Sequence, residues 1–403
     1  MTSPLVSSDQ IMDVDLHANG AVHELWRWMR AHAPVHFHPE GDLPAFWSLT
    51  RHDDIRAVYR DPAVFSSAHG VLLRPRNRGA DPGGGLTLAL TDPPRHGQLR
   101  AVVAERFSGR CLHGLAEEIA QQVRAVVNRV LDSGACDMVH DVATRLSIHG
   151  IGLLLGVPEV DRESLLRWTE ESFASGRSLV QHPQIMRYFA ALMSERSADP
   201  RPDALSMLLH GRPGDRRLTE AEVLLNCENL VGAAENAGLS MAAGMAAFLE
   251  HPLQWRRLRD APDLMPFAVE EVLRWTSSAT HSMRTVSRPV EVRGRRMEPG
   301  DRVALWIPSA NRDEAVFAQP YRFDITRRPN RHLALGAGAH VCIGGTMARH
   351  QMRILYSVLL ETAESIEPAG PATALRSLAV NGPAHLPVRI TARRRRPPAT
   401  VVG

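Results

Sequence analysis

Apolar residues recur along this chain mostly at helical spacing. The longest such segment, residues 219–250, begins with a capping box in which Glu222 follows Thr219, and it ends before Pro252. At 1.5 Å per residue this helix would be about 48 Å long and would cross the whole core. Helical patterns also predict helices over residues 93–107, 112–132, 138–155, 264–275 and 343–362.

Strand-like alternation is confined to two short segments, residues 285–292 and 302–307. Three other segments lack either pattern and are predicted as a loop over the site, a surface connector and a second long loop: residues 66–85, 200–217 and 311–339. No internal repeat and no linker divides the chain. We therefore predict one large domain over residues 1–403, mainly α with small β-sheets (α+β).

The composition is that of a soluble globular protein, with 44% hydrophobic residues, 23% charged residues and a net charge of +3. So small a charge gives no argument for a nucleic-acid partner. The N-terminus lacks a basic and an apolar signal region, and no run of about 18 apolar residues occurs, so we expect neither secretion nor a membrane partner. A cytoplasmic location is predicted, with residues 393–403 as a disordered basic tail.

The four cysteines are scattered and show no paired spacing: Cys111, Cys136, Cys227 and Cys342. This argues against a cysteine zinc site and against a disulfide framework. The default for each is a buried, unreactive thiol, so any functional role must depend on the neighbouring residues.

The neighbours of Cys342 are informative, because it ends a glycine-rich segment over residues 332–345. Glycines let a backbone approach a flat cofactor closely. The helix predicted to start immediately after Cys342 would favour a thiolate, which suits haem iron. On these residues alone, a glycine-rich turn with an incidental cysteine is the simpler interpretation. A phosphate-binding loop is a rival, but the Gly-Lys-Ser/Thr ending is absent.

This segment resembles the cytochrome P450 motif Phe-Gly-x-Gly-x-His-x-Cys-x-Gly. The matching residues are Gly336, Gly338, His340, Cys342 and Gly344. Leu335 replaces the Phe, which implies a changed environment for the sulfur. The resemblance implies the cytochrome P450 fold with its long central helix over the haem, haem b (iron-protoporphyrin IX) as the cofactor, and Cys342 as the ligand to the iron.

Two further motifs of the family occur in the expected order. Glu271 and Arg274 match the Glu-x-x-Arg pair, which implies a structural ion pair beneath the haem together with residues 311–313. Residues 92–100 match Asp-Pro-Pro-x-His-x-x-x-Arg. By the resemblance, four cationic residues bind the haem propionates through charge-assisted hydrogen bonds: His96, Arg100, Arg284 and His340. In isolation each would be interpreted as an ordinary surface residue.

The central helix carries the fourth motif. Residues 232–236, Gly-Ala-Ala-Glu-Asn, stand in the place of the family's Ala-Gly-x-Glu/Asp-Thr. Gly232 and Ala233 would leave room for dioxygen, and a local bulge is expected there. Glu235 falls at the family's acid and Asn236 replaces its Thr, so both are catalytic candidates. An internal salt bridge for Glu235 and a helix–helix contact for Asn236 are the alternatives.

The resemblance implies a monooxygenase that activates dioxygen to hydroxylate or otherwise oxidise a medium-sized organic molecule, free or carrier-tethered, in secondary-metabolite biosynthesis. Ferredoxin and ferredoxin reductase would supply electrons, with Arg349 and Arg353 as candidates for docking an acidic partner. Oxidative coupling or desaturation on the same haem, a non-catalytic accessory protein and a haem gas sensor remain alternatives. The candidate substrate contacts are Val71, Leu72, Leu86, Val231, Ala234, Thr280, His281 and Val380.

Overall fold

The computed structural model describes residues 10–73, 81, 83–174 and 182–393. The α-helices in these parts are α1 Val14–Ala18, α2 Val22–His32, α3 His52–Arg60, α4 Arg95–Val103, α5 Gly109–Gly114, α6 Ala116–Ser133, α7 Arg145–Leu155, α8 Arg162–Ala174, α9 Pro183–Ala198, α10 Ala204–His210, α11 Glu220–Glu250, α12 Pro252–Asp260, α13 Met265–Thr276, α14 Ile307–Ala310 and α15 Gly345–Thr362. A π-helix over Met138–Thr144 precedes α7 directly.

The strands are short. They are β1 Val35–His38, β2 Phe46–Leu49, β3 Phe65–Ser66, β4 Ala135–Asp137, β5 His281–Val286, β6 Val290–Val292, β7 Arg295–Met297, β8 Arg302–Trp306, β9 Ala363–Pro368, β10 Thr373–Ala374, β11 Pro383–His385 and β12 Pro387–Ala392. The largest sheet has the order β1-β2-β8-β5-β3, and a three-stranded sheet has the order β4-β12-β9. Only β2 and β8 pair in parallel among the described strands. The predicted class, mainly α with small sheets, is confirmed.

The predicted capping box of the central helix is present. Thr219 Oγ1 accepts the backbone N–H of Glu222, and the Glu222 carboxylate accepts the N–H of Thr219. From there α11 is an unbroken α-helix to Glu250, so the bulge expected at residues 232–236 is wrong. The π-helix lies in the neighbouring segment instead, where it packs against α11.

Gly238 explains how these two segments come so close. A Cβ atom at this position would lie 3.2 Å from the carbonyl oxygen of Ala143 and 3.2 Å from Thr144 Cα. These distances are tighter than an ordinary Cβ contact, so glycine permits the backbones to approach without a shift of either segment. The central helix is thereby held against the π-helix and α7.

Two other expectations need correction. The segment 200–217, predicted as a surface connector, contains the largely buried helix α10. Asp203 caps that helix by accepting the N–H of Ser206, and it also pairs with the buried Arg196 at 2.8 Å. The helix after Cys342 begins at Gly345, two residues later than expected. Residues 394–403 and residues 74–80 and 82 of the predicted loop lie outside the described residues.

Glu271 and Arg274 form a fully buried ion pair on α13. Arg274 donates to both oxygens of the Glu271 carboxylate, each at 2.8 Å. Neither side chain is exposed to solvent. Glu271 also accepts from the Asn330 amide, the Arg327 guanidinium and the backbone N–H of Asp324. The pair therefore holds a long stretch of irregular chain.

Replacing Glu271 with Ala is expected to lower the free energy of unfolding by roughly 3–5 kcal/mol, because Arg274 would keep a buried charge without its counter-ion. The control is Glu298→Ala, since Glu298 pairs with Arg296 in solvent. Loss of that exposed pair should cost less than about 1 kcal/mol. Urea unfolding of the two variants, followed by circular dichroism, measures both effects. Equal losses would contradict the structural role of Glu271.

Candidate functional site

A cavity of about 350 Å³ lies between the central helix and the glycine-rich segment. The helix contributes small and polar residues to one wall: Ala233, Ala234, Asn236, Ala237 and Ser240. The glycine-rich segment contributes the opposite wall: Ala334, Leu335, Gly336, His340, Cys342, Ile343 and Gly344. Segments 100 residues apart in sequence therefore face each other across one space.

The turn before Cys342 depends on backbone contacts. Gly338 has a φ of +70°, and a Cβ atom there would collide with the carbonyl oxygen of Tyr59. The N–H of Cys342 donates to the Leu335 carbonyl at 2.9 Å, which closes the turn. The Cys342 side chain is accessible from the cavity and lines it. The turn thus presents a sulfur atom to the cavity.

The environment of this sulfur acts in two directions. Burial raises the pKa of the Cys342 thiol above its ordinary value. The N–H groups of Gly344 and Gly345 and the guanidinium groups of Arg100 and Arg349 lower it, but they do not outweigh burial. The thiolate expected from the helix N-terminus is therefore only partly favoured by the protein. A metal cation at the sulfur would remove the remaining proton, so the donor suits a metal-bound cofactor.

A cluster of basic side chains lies at the same cavity, where Arg284 and His340 line the wall and His96 packs against His340. The rings of His96 and His340 lie 4.0 Å apart, centroid to centroid. Arg284 is 4% exposed, and its Nη1 donates to the Ser282 hydroxyl and the Met283 carbonyl, both at 2.7 Å. Within the described residues, none of these three side chains forms an ion pair with a carboxylate. The structure thus brings together the side chains predicted to bind propionates.

Burial lowers the pKa of all four basic groups, including Arg100. The neighbouring cations lower it further for His340, whose pKa falls to about 3. His96 Nε2 is buried and has no hydrogen-bond partner in the described parts of the chain. The positive charge here comes from Arg100 and Arg284, and the neutral His340 ring offers a hydrogen-bond donor, so the cluster is complementary to a dianion. This environment fits the two propionates of a haem.

The nearest acid, Asp92, is already bonded elsewhere. Its carboxylate accepts from the Ser66 hydroxyl and from the backbone N–H of Ser67, the latter at 2.8 Å. The negative charge of Asp92 acts to raise the pKa of His340 and Arg284, although burial lowers both pKa values overall. This is expected for an acid that lies close without pairing. Its role is to hold the strand end beside the cavity, which leaves the cations available to a ligand.

The two catalytic candidates on the central helix differ in position. Asn236 lines the cavity, and its Oδ1 is buried without a hydrogen-bond partner among the described residues. Glu235 does not line the cavity, because a rotation of 100° per residue turns it away from Asn236. Burial raises the pKa of Glu235 to about 8, so it is mostly protonated at neutral pH. The alternative salt bridge is not found in the described residues.

Four of the eight candidate substrate contacts line the cavity: Val71, Leu72, Ala234 and His281. His281 is not free to bind a polar substrate, because its Nε2 accepts the N–H of Leu73 and its Nδ1 donates to the Leu378 carbonyl. Burial lowers its pKa to about 4, so the ring is neutral. His281 therefore positions the segment that carries Val71 and Leu72.

The other four candidates lie elsewhere. Val231 is completely buried in the hydrophobic core. Thr280 is 1% exposed and, by strand alternation, faces away from the cavity that Ala279 and His281 line. The carbonyl of Leu86 accepts from the Asn226 side chain, and Val380 forms a β-bridge with Ala279. These four predicted contacts therefore do not line the cavity.

Sequence reasoning missed part of the wall. Helix α7 contributes Ser147, Ile151 and Leu154, and α15 contributes Met347 and Gln351. No motif marks these positions, since apolar residues on a cavity wall and in a core have the same helical spacing. The polar pair Ser147 and Gln351 was the available signal, because each is a polar residue on an otherwise apolar helix face.

The residues proposed for partner docking are also constrained. Arg349 forms a two-pronged ion pair with Glu270, at 2.6 and 2.8 Å. The pKa of Glu270 falls to about 2: burial opposes the shift, but hydrogen bonds from Arg349 and His332 outweigh it. Arg353 is half-buried, and its Nε lacks a partner among the described residues. The charge of Arg349 is therefore largely used within the protein.

Comparison with known proteins decides the family. The family model for cytochrome P450 matches residues 180–368. Cytochrome P450 NovI of Streptomyces niveus is 33% identical over 97% of this chain and 99% of its own. The chain belongs to the cytochrome P450 family. Members of this family are oxidoreductases that bind haem b through a cysteine thiolate, so this P450 binds haem b.

Solved structures agree with this assignment. P450 OxyD, which is involved in the biosynthesis of vancomycin-type antibiotics, superposes with a TM-score of 0.87 at 31% identity over 94% of this P450 and 99% of OxyD. P450BioI, solved in complex with an acyl carrier protein ligated to hexadec-9Z-enoic acid, has a TM-score of 0.83 at 27% identity over 92% and 98% of the chains. In the described parts of this P450, no helix is both long and apolar enough to span a bilayer.

The arginines of the basic cluster are expected to affect haem retention. Arg100→Ala and Arg284→Ala should each lower the ratio of haem to protein after gel filtration, because a buried propionate would lose its counter-ion. The control is Arg95→Ala on the same helix as Arg100, since Arg95 bonds to Glu222 and to the Pro213 carbonyl instead. A pyridine haemochrome assay measures the ratio. Wild-type haem content in both test variants would contradict the propionate assignment.

Proposed function

We propose that this P450 is a monooxygenase in which Cys342 binds the haem iron and the facing wall of the central helix positions dioxygen and substrate. The supporting observation is the cavity that has the Cys342 sulfur on one side and Ala233, Ala234 and Asn236 on the other. A bound haem supplies the activation of dioxygen, with two electrons and two protons, for insertion of one oxygen atom into a C–H bond and release of the other as water. The protein supplies the ligand, the protons and the shape of the cavity.

Proton delivery is proposed to differ from that of relatives with a threonine. A Thr hydroxyl both donates and accepts, so it can order a chain of water molecules. The Asn236 amide donates through nitrogen and accepts through oxygen, but it does not pass a proton on. Ser240, one turn further on, lines the cavity but donates to the Ser278 hydroxyl at 2.9 Å. Glu235 keeps a proton near neutral pH and is the proposed source, with Asn236 holding a water molecule at the cavity side.

The cavity supports a medium-sized substrate with an apolar body and few polar groups. Apolar side chains such as Val71, Leu72, Phe107 and Ile151 form most of its lining. The few polar side chains of the lining include Asn236, Gln351 and Ser282. A tailoring oxidation in secondary metabolism is proposed, in line with the antibiotic pathway of OxyD. The carrier-bound substrate of P450BioI supports a carrier-tethered substrate as a second form of the same proposal.

Ferredoxin, reduced by a ferredoxin reductase, is the proposed electron donor. Members of the P450 family typically take their electrons from redox partners, which supports this proposal. Because Arg349 is paired with Glu270, Arg353 is the remaining candidate cation of the proposed docking surface. A shift of the haem absorption band on titration with candidate compounds tests the substrate class directly.

Cys342→Ala is expected to abolish the characteristic absorption of the reduced carbon monoxide complex, because that band requires thiolate ligation. The matched control is Cys111→Ala, a half-buried cysteine outside the cavity lining. This variant should keep the wild-type spectrum. If wild-type protein binds haem but shows only the spectrum of a histidine-ligated haem, the ligand assignment is wrong.

Asn236→Ala is expected to lower the amount of product formed per NAD(P)H oxidised and to raise hydrogen peroxide, because the water position beside the dioxygen would be lost. Asn236→Thr should couple at least as well as the wild type. The control is Asn128→Ala, since Asn128 is exposed on α6. Product and peroxide are measured with one good substrate for all variants. If Asn236→Ala couples like the wild type, Asn236 has no part in proton delivery.

A further inference from the structure

A group of histidine and acidic side chains lies outside the haem cavity. Asp137, His140 and His385 each offer one ligand atom, and these atoms all lie within 4.8 Å of one another. They come from three segments: the end of β4, the first turn of the π-helix and the end of β11. None of the three lines the haem cavity. The tertiary structure thus collects them from positions up to 248 residues apart.

The Asp137 carboxylate is held in a fixed orientation. Its Oδ1 accepts the backbone N–H groups of Val139 at 2.9 Å and Leu386 at 3.1 Å. Its Oδ2 accepts from the His385 ring Nδ1 at 2.7 Å. Burial acts to raise the pKa of Asp137, but the hydrogen bonds from Leu386 and His385 outweigh it and hold the pKa below its usual value. One carboxylate oxygen is therefore aimed outward, toward the histidines.

A second carboxylate contacts one of these two histidines. Glu170 of α8 lies 3.4 Å from His140 Nδ1 through its Oε1. The rings of His140 and His385 are 5.0 Å apart, centroid to centroid. Both imidazole side chains are about half exposed, at 45% and 58%, so they can rotate by small amounts. Two histidines and the Asp137 carboxylate therefore converge on one point at the surface, and Glu170 contacts His140 from outside this group.

We propose that Asp137, His140 and His385 form a binding site for a single Zn²⁺ ion, with a water molecule as the fourth ligand and Glu170 in contact with His140 outside the ligand set. Zinc takes four ligands in tetrahedral geometry and accepts imidazole nitrogen and carboxylate oxygen. At bond lengths near 2.0–2.1 Å the ligand atoms lie about 3.4 Å apart, which small rotations of the two histidines achieve from the present positions. Two nitrogen donors disfavour Mg²⁺ and Ca²⁺, which prefer oxygen ligands. The backbone N–H groups on Asp137 Oδ1 act as the outer shell that orients this ligand.

The site would act on the central helix. The π-helix that carries His140 touches Gly238 through Ala143 and Thr144. The loop before β11 touches the next residue, since a Cβ atom at Gly382 would lie 3.4 Å from Leu239 Cβ. Zinc would join these two segments to each other where both rest on α11. Bound zinc should therefore reduce hydrogen exchange in residues 138–144 and 383–387.

The test uses the haem-loaded protein, so that Cys342 is occupied and does not compete for zinc. Isothermal titration with Zn²⁺ should give one tight equivalent, and the same ion should raise the melting temperature because it binds the folded state. His140→Ala and His385→Ala should each weaken this binding by tenfold or more, with Glu170→Gln less affected. The control is His32→Ala, since His32 is an exposed histidine on α2. Unchanged haem spectra verify that the variants are folded.

The zinc affinities of these variants distinguish the proposed site from zinc binding elsewhere on the protein. Loss of zinc binding in both histidine variants, with wild-type binding in His32→Ala, supports the site. Zinc binding of equal strength in the wild type, both histidine variants and His32→Ala would place the ion elsewhere and overturn the proposal. An absence of tight binding by the wild-type protein would also overturn it, and would leave two ordinary histidine–carboxylate pairs.

Discussion

The buried ion pair of Glu271 and Arg274 is the interaction on which the rest of the site depends. Arg274 donates to the backbone carbonyls of Asn311, Pro320 and Arg322, which lie in chain without regular structure. A buried carbonyl without a partner is costly, and this segment has no helix or sheet ladder to satisfy it. The Arg274 guanidinium therefore supplies hydrogen bonds to three backbone carbonyls in this irregular segment.

This support reaches the cavity through Asn311. Its side-chain oxygen accepts the N–H of Leu333, at the start of the glycine-rich segment, and its amide donates to the Ser277 hydroxyl. Leu335 then closes the turn onto Cys342. The position of the sulfur is thus determined by a chain of hydrogen bonds that begins at α13. Leu335 packs beside this turn, since a Cβ atom at Gly345 would lie 3.1 Å from its Cδ1.

The electrostatics of the cavity are consistent with a charged ligand. Four basic groups are held where burial lowers their pKa, and a thiol is held where burial raises its pKa. Each of these shifts is unfavourable for a charged side chain by itself, and each is relieved by an opposite charge. A dianionic cofactor with a central cation meets both requirements at once. Binding of such a group therefore stabilises the charged forms of the site.

The sequence by itself determined the family, the central helix and several side chains that line the cavity. Cys342, His340 and Arg284 could be named because motif spacing records which backbone positions a turn or strand presents. The capping box at Thr219 located α11 because an N-cap is a local interaction between residues three apart. The same reasoning failed inside the helix, where Val231 and Ala234 are equally apolar and only one lines the cavity. A helix that is apolar on all sides carries no record of which side meets a partner. Tertiary packing made that choice, and it also brought Asp137 and His385 together, since contacts between distant segments leave no periodic pattern in the chain.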